Sequence, residues 1–450
     1  MKKYGIFFLI LFLLWPQTAF PLTIAQEKEM GRKFFIEVKR QLPIISDPVL
    51  NRYYNELGQY LVNHLEERHF NYHFYLIDNP TLNAFSGPAG YVFMYRGLFL
   101  IFDTEDELAA VTAHEIAHVK CRHIAKRLTR GKKIGLATLV AILAGALLAS
   151  EGEATSAITT TSMAASMAIS LKYSRQDEEE ADRHGLDLLL KAGYEGKAMV
   201  SAFRKLARFS LESPGRIPAY LKTHPDIGIR IVYISNTLKH LAHKNTAILR
   251  PRFHLMQARL RALYTDKEAA KNFFKQKLCE NKKEPSNYYG LALCLMQERN
   301  WQKAVEYLKK ALKLEPNETL FLRELGICYT EIGKFKEAID YLKKVPIDLE
   351  VAFHLGRAYK ELGKKEEAIK IWNKTIEMFS KKEILNISYL SRLYYALAQC
   401  YAENKQMDWA HYYLGCYFES KAKSKQAHYH YNKALTLTHD KKLKTKIKKK

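Results

Sequence analysis

Hydrophobic and polar residues follow three different patterns along the chain. Residues 4–15 form an unbroken apolar run behind Lys2 and Lys3, and residues 26–244 mix short strand-like and helical patterns with most of the glycines. Beyond them the chain is helical, rich in lysine and repetitive, and its last ten residues include seven lysines. These patterns predict a leader over 1–25, a mixed domain over 26–244, a helical domain over 245–440 and a frayed Lys-rich tail over 441–450.

The helical domain carries a regular arrangement of small residues. A small residue precedes an alanine by twelve positions in five pairs, which follow one another at steps of 34, 34, 30 and 42 residues: Ala258/Ala270, Ala292/Ala304, Gly326/Ala338, Gly356/Ala368 and Ala398/Ala410. Small residues at these positions let paired helices approach closely, and Leu308, Leu342 and Trp372 fill the space between them. This is the tetratricopeptide-repeat pattern. Stacked helical pairs form a concave groove that suits a protein segment.

The apolar run near the N-terminus is too short to cross a bilayer. It has 12 residues, whereas a spanning helix needs about 20. A short apolar core behind two lysines is typical of a secretory signal peptide, and Ala19 and Ala25 are small residues at which cleavage could occur. We therefore predict export, with an uncleaved signal anchor as the alternative.

A second apolar stretch covers residues 134–149, after Lys132 and Lys133. Its 16 residues are few for a spanning helix, and its alanines and glycines favour close helix packing. Together with residues 154–170, which are rich in Thr, Ser, Ala and Met, it predicts a helical hairpin that covers or gates a cleft. Membrane insertion is the alternative.

Charge is the unusual feature of the composition. The chain has 71 Lys and Arg against 47 Asp and Glu, a formal net charge of +24, while its 48% apolar and 26% charged residues are ordinary for a globular protein. This excess suits an anionic membrane surface or nucleic acid. Because export would remove nucleic acid and no base-stacking motif occurs, we expect no nucleic-acid partner.

One short motif predicts a metal site. His114-Glu115-Ile116-Ala117-His118 lies in a helical stretch that Thr104 and Glu107 open with a capping-box signature. Residues i and i+4 share one face of a helix, so both imidazoles can reach one ion, and zinc favours such ligands. Glu115 would take a proton from a water that the metal has acidified. His123 is expected to support a ligand or lie at the surface, and His184 to be an ordinary surface or core residue.

A catalytic zinc needs a third protein ligand and an open fourth position. The segment from Ser174 to Asp182 supplies three consecutive glutamates at the start of a helix, with Ser174 as its predicted N-cap. Spacing alone does not choose among them. Glu178 and Asp182 are four residues apart, which would let Glu178 bind the metal while Asp182 orients a ligand histidine.

These motifs together resemble those of a known peptidase family. His-Glu-x-x-His followed some 60 residues later by Ser-Arg-x-x-Glu-x-Glu-Ala-Asp is similar to the HtpX/BepA-like zinc metallopeptidases, of the gluzincin type. In that family the ligand glutamate lies four residues before the aspartate. The resemblance therefore implies that Glu178 is the third ligand beside His114 and His118, and that Asp182 supports the site.

Two further segments extend the resemblance. Asn83-Ala84-Phe85, followed by Pro-Ala-Gly-Tyr, resembles the family's strand that flanks the cleft and pairs with substrate backbone, although Ala89 stands where glycine is common.

Downstream, Thr223-His224-Pro225 with Arg230 resembles the family's Thr-His-Pro element. The resemblance implies that His224 acts at the zinc, either as a fourth ligand in a shut state or as a stabiliser of the transition state, and that Arg230 supports the site.

The resemblance implies a mainly α fold: a zincin-like α+β metallopeptidase domain with a small sheet, followed by an α-solenoid of tetratricopeptide repeats. With the leader, this order is most similar to BepA-like members of the family. It implies a periplasmic, Gram-negative-type endopeptidase with one Zn²⁺ per chain that degrades misfolded or stalled envelope proteins, with repeats that dock the outer-membrane assembly machinery. The alternative is a chaperone or adaptor whose metal site is mostly closed.

Overall fold

The computed structural model describes residues 22–130, 173–212, 218–240, 252–379 and 387–448. They divide into two compact units, the first of Met1–Ile44 with Tyr53–Arg250 and the second of Ile45–Arg52 with Pro251–Lys450. Most of the predicted leader, the apolar stretch 134–149 and the predicted boundary at 244/245 lie outside the described residues. The domain limits therefore stay predictions.

The chain up to His240 is mainly helical. Thr23 begins the first helix with a capping box to Gln26, because a threonine hydroxyl and a Gln side chain satisfy each other's backbone N–H groups. The helices are α1 (Ile24–Gln41), α2 (Pro48–Val62), α3 (Arg96–Ile101), α4 (Glu105–Lys120), α5 (His123–Arg130), α6 (Arg175–Lys191), α7 (Lys197–Glu212), α8 (Ala219–Thr223) and α9 (Ile227–Lys239).

A three-stranded sheet lies in the first unit, with strands β1 (His73–Ile77), β2 (Ala84–Ser86) and β3 (Tyr91–Tyr95). The central strand β3 runs parallel to β1 and antiparallel to β2, which is an edge strand of this sheet. Between β2 and β3, Ala89 has φ 60°. This left-handed conformation costs a residue with a Cβ about 1–2 kcal/mol, whereas the glycine that the resemblance leads us to expect here would adopt it readily.

Helices α4 and α6 pack closely where the metal motif lies. A Cβ placed on Gly185 of α6 would lie 3.0 Å from the Cα of His114 on α4. The absence of a side chain there lets the two helices approach. Helix α7 packs against the same α4, and α9 packs against α6 and α7, so four helices position the histidines.

The described part of the second unit is mainly helical. The helices are α10 (Phe253–Tyr264), α11 (Lys267–Glu280), α12 (Pro285–Gln297), α13 (Trp301–Leu314), α14 (Thr319–Glu331), α15 (Phe335–Leu342), α16 (Leu349–Glu361), α17 (Lys365–Phe379), α18 (Ile387–Glu403), α19 (Met407–Ser420), α20 (Ser424–Leu437) and α21 (Lys441–Ile447). Consecutive helices pack against each other, and α19 contacts both α18 and α20. The predicted fold class, mainly α with a small sheet followed by helical repeats, is confirmed.

The predicted small positions include points where neighbouring helices approach closely. The five alanines that end the pairs are all buried. A Cβ on Gly326 would meet Leu342 at 2.5 Å, and a Cβ on Gly356 would meet the indole nitrogen of Trp372 at 2.1 Å. The same indole donates a hydrogen bond of 3.0 Å to the carbonyl of Ala352. Close packing at these sites leaves no room for a methyl group.

We predict that Gly356→Ala destabilises the repeats. The added methyl group forces Trp372 out of its position, and overpacking of this kind costs about 1–3 kcal/mol. The measurement is urea unfolding followed by tryptophan fluorescence, since Trp301, Trp372 and Trp409 all lie in the second unit. Lys370→Ala, at an exposed position of α17, is the control and should leave the midpoint unchanged. An unchanged midpoint for Gly356→Ala contradicts the packing argument.

The prediction of a frayed tail was wrong for residues 441–447, which form helix α21. The Asp440 carboxylate accepts a hydrogen bond of 2.7 Å from the backbone of Lys442, and Leu443 and Ile447 are buried. These two apolar residues are four apart and share one face, whereas the lysines lie on the others. Among the described residues, no helix combines the length and the apolar content needed to cross a membrane.

Candidate metal centre

Helix α4 holds the two histidines and the glutamate of the motif. The Thr104 hydroxyl caps the helix by accepting a hydrogen bond from the backbone of Glu107. His114, Glu115 and His118 are at most 1% exposed. The Nε2 atoms of the two histidines lie 3.0 Å apart, so one face of the helix presents both imidazoles to the same point, as the spacing predicts.

Helix α6 brings two carboxylates to these imidazoles. Ser174 begins the helix with a capping box to Asp177. The Glu178 carboxylate oxygens lie 3.5 Å from Nε2 of His114 and 3.6 Å from Nε2 of His118. On the other side of the first ring, Asp182 Oδ1 lies 3.0 Å from Nδ1 of His114. A carboxylate in this place fixes the ring so that Nε2 can bind a metal.

His224, at the end of α8, completes a group of four donors. Its Nδ1 lies 2.9 Å from Oε1 of Glu178 and 3.4 Å from Nε2 of His114. Ligand atoms of His114, His118, Glu178 and His224 all lie within 4.8 Å of one another. The opposite nitrogen of His224, Nε2, faces Oε1 of Glu115 at 3.5 Å.

Arg230 of α9 balances the charge of the carboxylates. Its Nε and Nη2 donate hydrogen bonds of 2.7 Å to Asp182, its Nη1 lies 2.6 Å from Glu178 Oε2, and its guanidinium lies over the Phe203 ring. Burial would raise the pKa of the Asp182 carboxyl, but the Arg230 guanidinium outweighs burial and holds that pKa below its ordinary value. Asp182 is therefore ionised beside His114 at neutral pH.

The donor set suits a divalent ion. The buried carboxylates of Glu178 and Asp182 face one buried guanidinium, which leaves one negative charge when the imidazoles are neutral as metal ligands require, and the Glu115 carboxyl is buried beside them. Both carboxylate oxygens of Glu115 are buried without a hydrogen-bond partner among the described residues, as is Nε2 of His224. Unsatisfied buried groups of this kind are costly unless an ion or water joins them. Two imidazoles and a carboxylate are typical of zinc.

Two tyrosines at the centre were not predicted from the sequence. The Tyr173 ring stacks on His118 with a centroid separation of 3.9 Å, and the Tyr220 ring stacks on His224 at 4.2 Å. Both tyrosines are buried. They hold the imidazoles in place by packing. Tyr173 directly precedes the Ser174 cap, but nothing in the local pattern indicates which ring it contacts.

His123 contacts His118, the second of the predicted ligand histidines. Its Nδ1 is 2.8 Å from Nδ1 of His118, and its Nε2 is 3.0 Å from Oε2 of Glu180. If Nε2 of His118 faces an ion, its Nδ1 carries the proton and donates to His123, which in turn donates to Glu180. The sequence predicts that His123 either supports a ligand or lies at the surface, and these contacts favour support of His118.

The predicted substrate strand is β2 and the residue before it. Ala84 and Phe85 pair with Met94 and Phe93 of β3, and the Asn83 carbonyl accepts a hydrogen bond of 3.0 Å from the backbone of Tyr95. All three residues are buried, and β2 packs against α4. The structure therefore brings this strand to the helix that carries the histidines.

Family models match separate parts of the chain. Residues 48–238 match the model of Peptidase family M48, residues 266–345 match a model described as anaphase-promoting complex, cyclosome, subunit 3, and residues 350–381 match a tetratricopeptide repeat. A crystal structure of YrrB, a TPR protein with an unusual peptide-binding site, is 19% identical, covers 40% of this chain and 100% of that chain, and has a TM-score of 0.27.

Several curated relatives are proteases. The beta-barrel assembly-enhancing protease of Escherichia coli (strain K12) is 31% identical over 72% of this chain and 66% of its own length. The same-named protein of Yersinia pestis is 30% identical over 67% of this chain and 62% of its own length. The chain thus spans less than two thirds of these relatives. The mitochondrial metalloendopeptidase OMA1 of Arabidopsis thaliana is 32% identical over 33% of this chain and 28% of its own length.

The resemblance drawn from the motifs is therefore confirmed. The matched residues include all four donors, Glu115 and the predicted substrate strand. This chain has a domain of peptidase family M48, which tetratricopeptide repeats follow.

Proposed function

We propose that the chain is a zinc-dependent endopeptidase that degrades misfolded or stalled envelope proteins. One observation carries the proposal: four donors on three segments lie within 4.8 Å of one another, beside a buried glutamate whose oxygens have no hydrogen-bond partner among the described residues. A metallopeptidase active site requires such a set of metal ligands with a general base beside them. A structural zinc site would not need the free carboxylate.

The contacts of each residue indicate its proposed role. His114, His118 and Glu178 would hold the ion, which when bound polarises the scissile carbonyl and acidifies the attacking water. Glu115 would accept the proton of that water and pass it to the leaving amine, since its oxygens are otherwise unused. Asp182 fixes the ring of His114, and His224 lies beside Glu115, where it can stabilise the oxyanion.

Strand β2 would position the substrate. An edge strand can add an extended peptide by backbone pairing, and β2 lies against the helix that carries the zinc ligands. Asn83, Ala84 and Phe85 are the residues that would align the peptide. Backbone pairing does not depend on the side chains of the bound peptide. It therefore suits unfolded or misassembled protein substrates of varied sequence.

The repeats and the leader support an envelope role. Tetratricopeptide repeats suit protein segments, and relatives named beta-barrel assembly-enhancing protease support docking to the outer-membrane assembly machinery. The predicted leader supports export to a Gram-negative-type periplasm, and the +24 net charge supports contact with an anionic membrane surface. We propose no nucleic-acid partner.

Removal of the metal tests the proposal. Treatment of the purified full chain with a chelator should abolish cleavage of unfolded casein, and one equivalent of Zn²⁺ after removal of the chelator should restore it, because the residues alone do not acidify water. The measurements are zinc content by elemental analysis and initial cleavage rates. Cleavage that persists in metal-free protein contradicts the proposal.

A specific observation favours a second function. His224 can serve as a fourth protein donor, since its Nδ1 belongs to the same group as the three proposed ligands. Four protein ligands close a zinc site to substrate. In that state the chain would act as a chaperone or adaptor, chiefly through its repeats.

His224→Ala distinguishes the two functions. If His224 stabilises the transition state, casein cleavage falls by about 10²–10³-fold, the usual effect of losing one oxyanion donor. If His224 closes the site, cleavage rises above that of the parent. Zinc content should stay at one per chain in both cases, because three ligands remain, and a loss of zinc contradicts the assignment of those ligands.

A further inference from the structure

A second group of metal-binding side chains lies behind the first centre. Cys121 follows α4, and Glu180 and His184 lie one turn apart on α6. Their ligand atoms, a thiol sulfur, a carboxylate oxygen and an imidazole nitrogen, all lie within 4.8 Å of one another. None of the three belongs to the first group of donors.

The helices place these three donors where they can bind one cation together. Residues i and i+4 share a face, so Glu180 and His184 point from α6 towards the same place. Cys121 is at the C-terminus of α4, where the helix dipole attracts cations. Thiolate and imidazole together select borderline-soft ions such as Zn²⁺ and Co²⁺ over Mg²⁺ or Ca²⁺.

We propose that Cys121, Glu180 and His184 form a second site for a borderline-soft divalent ion, with water in the remaining position. Burial first, and the Glu180 carboxylate second, raise the pKa of the free Cys121 thiol to about 12. The thiol is therefore protonated when the site is empty. Binding forms a metal–sulfur bond, breaks the S–H bond and releases the proton to solvent.

Two lysines make this site weaker than the first. Lys120 Nζ lies 3.3 Å from Nδ1 of His184, and Lys126 Nζ lies 3.3 Å from Oε2 of Glu180. An ion must displace these ammonium groups, which their flexible stems allow. Thiolate and carboxylate together then neutralise the two charges of the ion. We therefore expect the second site to fill only after the first.

The two sites share a chain of hydrogen bonds. Oε2 of Glu180 contacts Nε2 of His123, whose Nδ1 contacts His118. An ion at the second site would draw the Glu180 carboxylate away from His123 and loosen the orientation of His118. This step rests on the proposed peptidase function: zinc in excess would bind the second site and thereby slow the cleavage of peptides.

Cobalt substitution tests the second site by itself. The first centre offers only nitrogen and oxygen donors, so thiolate-to-Co²⁺ charge-transfer absorption reports the second site alone. Titration of the metal-free full chain should give this absorption with the second equivalent of Co²⁺. Cys121→Ser should abolish it, and His184→Ala should weaken Co²⁺ binding at least tenfold. Cys279→Ser, at an exposed cysteine, is the matched control and should retain it.

Several results would overturn the site. They are no charge-transfer absorption in the parent, absorption that survives in Cys121→Ser, and an undiminished affinity in His184→Ala. Circular dichroism shows whether each variant is folded, and His184→Ala stays informative if Cys121→Ser does not fold.

The coupling has its own readout. Excess zinc should inhibit casein cleavage by the parent, and His184→Ala should relieve the inhibition; inhibition that is equal in both contradicts the coupling. A parent that cleaves nothing at any zinc level refutes the peptidase proposal, whereas the cobalt result stands.

Discussion

Glu115→Gln should abolish peptide cleavage and leave zinc bound. The substitution keeps the shape of the side chain and removes its ability to accept a proton. Glu115 is fully buried with its carboxyl 3.5 Å from Nε2 of His224, and it is not needed as a ligand because the three proposed ligands are other residues. General-base catalysis is typically worth about 10²–10⁴-fold, so we expect a loss of about 10³-fold or more in the cleavage rate of unfolded casein.

The control for this variant is Glu179→Gln. Glu179 lies on α6 between Glu178 and Glu180 but is exposed, so its replacement should change neither rate nor zinc content. Both variants should match the parent in circular dichroism and in zinc per chain. Undiminished cleavage by Glu115→Gln would end the assignment of Glu115 as the base, even with zinc in place.

The parts predictable from the sequence are those set by local periodicity. His114 and His118 share a face because an α-helix brings residues i and i+4 together, whatever surrounds it. The repeats are predictable for the same reason, since small residues such as Gly356 recur wherever two helices must touch. The choice of Glu178 as the proposed ligand and of the segment Asn83-Ala84-Phe85 as the proposed substrate strand required the resemblance to a family, because three neighbouring glutamates look alike in the sequence.

The remaining features depend on packing between distant segments. Glu178 is buried, whereas Glu179 is exposed, because α6 turns only one face towards α4. The contacts of Tyr173 and His123 with His118 follow from that same packing, and a local pattern does not indicate them. The helix at the C-terminus was missed because its stabilising apolar face is only Leu443 and Ile447, hidden among lysines.

Glu178→Ala should remove zinc from the chain. The variant leaves two imidazoles, and it leaves Arg230 without the carboxylate that lies 2.6 Å from its Nη1, so a cation faces the place of the ion. Loss of a residue that merely supports a ligand weakens metal binding by about 10–100-fold, and loss of the ligand itself should exceed 100-fold. Competition against a chromophoric chelator measures the affinity, and cleavage should fall with the zinc content.

Thermal unfolding separates metal loss from damage to the fold. Zinc that binds only the native state raises the melting temperature of the parent, and it should have a much smaller effect on Glu178→Ala. Glu179→Ala, one residue away and exposed, should respond to zinc as the parent does. Parental zinc affinity in Glu178→Ala would show that His224 or another donor takes the third position. Since His224 Nδ1 lies 2.9 Å from the Glu178 carboxylate, the double variant Glu178→Ala/His224→Ala would then identify it.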